Sequence, residues 1–137
     1  MDEFRPTNPH DGRRYDSYTD WHISWNWPGY GSNECDLTKA QVDYEVWVVA
    51  PRWMPEANAT PDLIDLWVRY SQNLSLHEQQ HVDNIVDNYL QAKDAIQNAT
   101  CATAEEAAQA ILEKFRQFDV EYDRTTNHGE TQGARFP

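Results

Sequence analysis

Residues 74–84 read LSLHEQQHVDN, with His77 and His81 four residues apart and Glu78 directly after the first histidine. On an α-helix, residues four apart differ by about 40° of rotation and about 6 Å of rise, so both imidazoles can reach one tetrahedral metal ion. Glu78 then falls on the flank of the pair. There it can reach a water at the metal without being a ligand, as the general base of a metallopeptidase must. The surrounding periodicity is helical: Leu63, Trp67, Tyr70, Leu74, His77, His81, Ile85 and Tyr89 recur at three- and four-residue steps. The two histidines continue an apolar stripe and therefore point inward, where polar rings need partners that a metal supplies.

Working outward, Thr60 is a natural N-cap with Pro61 at the first helical position, and one helix is predicted from there to about Ala99. NATCATAEE breaks it. Thr103 and Glu106 form a capping-box pair opening a second helix, whose apolar stripe is Ala108, Ile111, Leu112, Phe115, Phe118 and Tyr122, with Gly129 as its stop. Upstream, WHISWNW (21–27) alternates Trp21, Ile23, Trp25 and Trp27 on one face, the period of a strand. QVDYEVWVVA (41–50) is a second strand rich in β-branched and aromatic residues, ended by Pro51 and Pro55. The predicted fold is α+β: a small antiparallel sheet packed on a two-helix hairpin that carries the HExxH helix, a zincin-like arrangement. The strands either pair directly or flank a third. Residues 1–17 are expected to be a flexible N-terminal segment and 18–137 a single domain.

An antiparallel hairpin turning near residue 101 sets residues about 20 before the turn level with residues about 20 after it, at ~1.5 Å per residue. That brings 120–128 beside the metal. The candidates there are Asp123 and His128, with Tyr122 on the inward stripe. His128, just before the helix-ending Gly129, is the expected third ligand, with Asp123 orienting a ligand from behind. In the alternative, Asp123 binds the metal and His128 stabilises the oxyanion. Tyr122 is either a core aromatic or a donor that polarises the scissile carbonyl. His10 and His22 have no evident partners and are taken as bystanders.

The charge balance is 11 Lys and Arg against 23 Asp and Glu, a net −12, which argues against a nucleic-acid partner. No run of about 18 apolar residues is present, so no membrane span is expected, and this chain shows no signal peptide. Cys35 and Cys101 share no metal-ligand spacing and read as a disulfide, with two separate buried thiols as the alternative. A bridge would imply an oxidising compartment. A monomer is expected.

The order of Cys35, the PRW at 51–53, LHEQQH, Cys101 and then YDRTTNHGETQGARFP resembles a family of bacterial secreted, predicted zinc-dependent proteases long catalogued as a domain of unknown function. The resemblance covers residues 18–137. It implies a zincin-type metallopeptidase exported from the cytoplasm, hence secreted or periplasmic. His77, Glu78 and His81 carry over directly, and Tyr122, Asp123, Thr126, His128 and Gly129 match the second motif. Gln80 departs from the smaller residue expected there. Together these readings predict a zinc-dependent metalloendopeptidase acting on a peptide or protein substrate, with zinc activating water and Glu78 as the base. Two alternatives stand beside it. One is a non-catalytic, secreted, zinc-stapled binding or structural module, which would fill all four zinc positions with protein ligands and has no use for Glu78. The other is a hydrolase of a non-peptide amide.

Overall fold

The structure, a computed structural model, describes residues 5–6, 16–51 and 57–135. Strand β1 (Tyr18–Asn26) pairs directly with β2 (Gln41–Val49) in an antiparallel two-stranded sheet, and no third strand joins them among the described residues. Three helices follow: α1 (Pro61–Asn88), α2 (Leu90–Gln97) and α3 (Ala104–Thr126). Short 3₁₀ turns lie at Leu37–Lys39 and Glu130–Gln132. Pro55, Trp53 and His10 lie outside the described residues. No described helix is long and apolar enough to cross a membrane.

The chain divides into two compact units. One comprises residues 21–46 and 82–121. Its core joins Ile23 of β1, Trp27 just after that strand and Val42 of β2 to Ile85, Ile96, Leu112 and Phe115 of the helices, so the sheet packs on the helical layer. Trp21 stands edge-on to Phe115, with centroids 6.2 Å apart, and its indole N–H donates to Asp119 at 2.8 Å. The indole N–H of Trp25 donates to Glu105 at 2.8 Å. Cys35 and Cys101 form a disulfide with their Cα atoms 5.8 Å apart, tying the loop after β1 to the turn before α3.

The other unit comprises residues 1–20, 47–81 and 122–137. Thr60 caps α1 as expected, its hydroxyl accepting from the Leu63 backbone N–H at 3.2 Å. Tyr70 and Leu74 of α1 pack with Trp67 and Ala134 in a small cluster. Arg5 pairs with Asp16 at 2.7 Å.

Three details differ from the sequence pattern. The helix predicted to reach Ala99 is interrupted at Tyr89, where the Ala92 N–H takes the Tyr89 carbonyl in a tight i to i+3 bond. Just before it, the Asn88 amide donates to the Asn84 carbonyl at 2.8 Å, competing locally with the backbone. Phe118 is 39% exposed, because the inward position after Phe115 goes to Asp119, which meets Trp21. Finally, α3 ends at Thr126, ahead of Gly129, as Asn127 and His128 both turn left-handed (φ 47° and 53°).

Candidate metal centre

Leu74, His77 and His81 fall on one face of α1 by their spacing, and the same face that buries Leu74 buries both imidazoles: His77 is 2% exposed, Glu78 3% and His81 4%. These three residues each bring a ligand-type atom within 4.8 Å of the others. Asp123, from the last turn of α3, completes the group. Its Oδ1 lies 3.0 Å from His77 Nε2 and 2.8 Å from His81 Nε2. Burial pushes the Asp123 carboxyl up, but the hydrogen bonds from His77 and His81 and the charges of His81 and His128 outweigh it and hold the group well below the usual carboxylate range. It is an ionised acceptor at neutral pH.

His77 is held from behind. Its Nδ1–H donates to Gln132 Oε1 at 2.8 Å, which leaves Nε2 as the nitrogen facing Asp123. Gln132 sits in the 3₁₀ turn after α3, reached through Asn127, His128 and Gly129, all at positive φ. Gly129 is buried because the turn passes close over the imidazole: a Cβ built on it would lie 3.0 Å from His77 Cγ and 3.1 Å from Ala134 Cβ. Thr126 locks the turn, donating to the Tyr122 carbonyl at 2.8 Å and accepting from the Gly129 N–H at 3.2 Å.

Tyr122 stacks flat on His77 (centroids 4.8 Å apart, planes 12°) and meets His81 edge-on at 4.9 Å. Its hydroxyl accepts from the Gln132 amide at 2.8 Å. Burial raises the Tyr122 pKa and the Gln132 bond lowers it; the Glu78 and Asp123 charges raise it further, and the phenol stays protonated at neutral pH. Glu78 is oriented by hydroxyls on both oxygens. Ser17 donates to Oε1 at 3.0 Å and Thr19, at the start of β1, donates to Oε2. Oε1 also lies 3.8 Å from His77 Nε2.

His77, Glu78, His81, Tyr122 and Asp123 therefore come together. His128 lies nearer solvent, its side chain 58% exposed and its Nδ1 3.8 Å from Asp123 Oδ2. His22 is exposed on the outer face of β1, and Thr126 contributes through the turn. Sequence reasoning did not identify Ser17, Thr19 or Gln132. Ser17 is the last residue of the segment expected to be flexible, and none of the three carries a spacing signal.

The donor set fits a divalent cation. Asp123 offers only lone pairs, and the Nδ1 proton of His77 is committed to Gln132. The 3.0 Å approach of Asp123 to His77 Nε2 therefore calls for a positive centre there, either a second proton on the His77 ring or a metal ion, while His81 can meet Asp123 at 2.8 Å as a neutral Nε2–H donor. Two imidazoles and a carboxylate form a set able to hold such an ion.

Residues 1–129 match the model of a family described as "Bacterial protein of unknown function (DUF922)". No curated protein and no solved structure matches the chain.

Proposed function

The chain belongs to this bacterial family, and we propose that it is a zinc-dependent metallopeptidase in which His77, His81 and Asp123 hold the metal and Glu78 is the general base. The convergence of Asp123 Oδ1 on both Nε2 atoms carries this assignment. Asp123 takes the ligand place expected for His128, which lies nearer solvent beside it. A zinc ion bound by such residues lowers the pKa of water toward ~7 and polarises a carbonyl oxygen. Glu78, held on both carboxylate oxygens beside the histidines, accepts the proton of the attacking water and passes it to the leaving amine. The protonated hydroxyl of Tyr122, whose ring stacks on His77, donates to the oxygen that gains charge as the carbonyl is attacked. Glu78 supports hydrolysis over a structural site, since a site that only staples helices gains nothing from a buried carboxylate oriented by two hydroxyls. The bacterial family and the disulfide are compatible with an exported protein.

The test is elemental analysis of the wild type and Glu78→Gln, with both assayed on quenched casein and peptide libraries. One zinc per chain in each, with cleavage only by the wild type, is the expected result. Zinc in both with cleavage by both removes Glu78 as the base. Zinc in both with cleavage by neither favours a structural zinc site.

A further inference from the structure

Gln132 touches two parts of the centre at once. Its carbonyl oxygen accepts the Nδ1 proton of His77, and its amide N–H donates to the hydroxyl oxygen of Tyr122, each at 2.8 Å. An amide has one accepting and one donating end, so one orientation serves both contacts and reversing it would spoil both. We propose that Gln132 is the positioning residue of this site: it fixes His77 with Nε2 toward the metal, and it engages Tyr122 as an acceptor, directing the phenolic proton away from itself and toward the oxygen of the bound substrate. The second half rests on the hydrolase proposed above. The first does not.

The chemistry of the alternatives sharpens the claim. A glutamate at 132 has the same shape but only acceptors. It would still take the His77 Nδ1 proton, and the added charge behind the ring would keep or strengthen metal binding. It would also take the Tyr122 proton and turn that donor inward, so the charged oxygen of the transition state would lose it. Alanine would release both partners. Gln132 is exposed, so neither exchange opens a core cavity.

The experiment compares wild type, Gln132→Glu, Gln132→Ala, Tyr122→Phe and the double variant Gln132→Glu/Tyr122→Phe as full chains, by zinc affinity in chelator competition and by kcat and KM on a cleaved peptide. Gln132→Glu should bind zinc at least as tightly as wild type, while kcat falls about 10²-fold, the cost of removing one oxyanion donor, with KM unchanged. Tyr122→Phe should match that loss, and the double variant should be no worse than either single. Gln132→Ala should lose zinc affinity by about 10–100-fold, the range for removing a partner from behind a ligand. Wild-type kcat in Gln132→Glu, or losses that multiply in the double variant, would overturn the Tyr122 role. Unchanged zinc affinity in Gln132→Ala would overturn the His77 role. A wild type that binds zinc and cleaves nothing refutes the hydrolase, and with it the Tyr122 role. The affinity series then still decides the His77 role.

Discussion

Replacing Gly129 with alanine tests the closeness of the C-terminal turn to His77, and Gly31→Ala is its control. Both glycines have positive φ, 91° and 79°. A side chain in that region costs roughly 1 kcal/mol at either position. They differ in what the new methyl meets. At Gly31 there is nothing within 4 Å; at Gly129 it would lie 3.0 and 3.2 Å from His77 Cγ and Cβ and 3.1 Å from Ala134 Cβ. Those neighbours are buried and cannot swing aside, so overpacking adds about 2 kcal/mol, for a total near 3 kcal/mol. With an unfolding entropy of about 2.1 cal/mol/K per residue, a chain of 137 residues loses about 3.5 °C of Tm per kcal/mol. Gly129→Ala should therefore lower Tm by about 10 °C and Gly31→Ala by about 3–4 °C. Thermal unfolding followed by circular dichroism, with chelator present so that metal binding does not shift the midpoint, reads the difference. Gly129→Ala should also weaken zinc binding, because the ring it displaces is a proposed ligand, while Gly31→Ala should not. Equal Tm losses in the two variants would refute the close approach and the packing argument built on it.

The disulfide joins residues 66 apart, so its reduction and alkylation should cost about 4 kcal/mol in the chain-entropy model and lower Tm by more than about 10 °C; an unchanged midpoint would show that the bridge adds nothing. Asp123→Asn should reduce zinc affinity by more than about 100-fold, beyond the range for a residue acting from behind a ligand. His128→Ala should stay close to wild type, and the reverse order in a chelator titration would make His128 the third ligand. Ser17→Ala and Thr19→Val should leave zinc content intact while turnover falls as Glu78 loses its orienting donors. Full activity in the double variant would show that the base needs neither hydroxyl.

The inward face of the motif helix was legible because a 3.6-residue period extends through it, from Tyr70 and Leu74 to His77, His81 and Ile85. The cap at Thr60 and the alternating face of β1 were legible from equally local patterns, whereas β2 keeps only Val42 buried, with Tyr44 and Val48 exposed. The unequal placement of Asp123 and His128 relative to the two histidines was not. Both are nearly level with the histidines along the hairpin, and what separates them is left-handed backbone at Asn127 and His128, neither of which is glycine. Asn88 likewise has no local feature that foretells its side chain bonding back at the Tyr89 break. Gln132 and the two hydroxyl residues escaped for another reason. A hydrogen bond to a partner 55 to 61 residues away leaves no periodic trace in sequence.

The motif helix depends on two segments remote from it in sequence, since Ser17 bonds Glu78 and Gln132 bonds His77. Loss of a short stretch that includes either residue would leave HExxH and most of the buried core untouched. Proteolysis that removes the segment holding either residue would therefore produce a protein that passes gel filtration and circular dichroism yet has lost an orienting contact at its centre. An inactive preparation should be weighed intact by mass spectrometry before its chemistry is doubted.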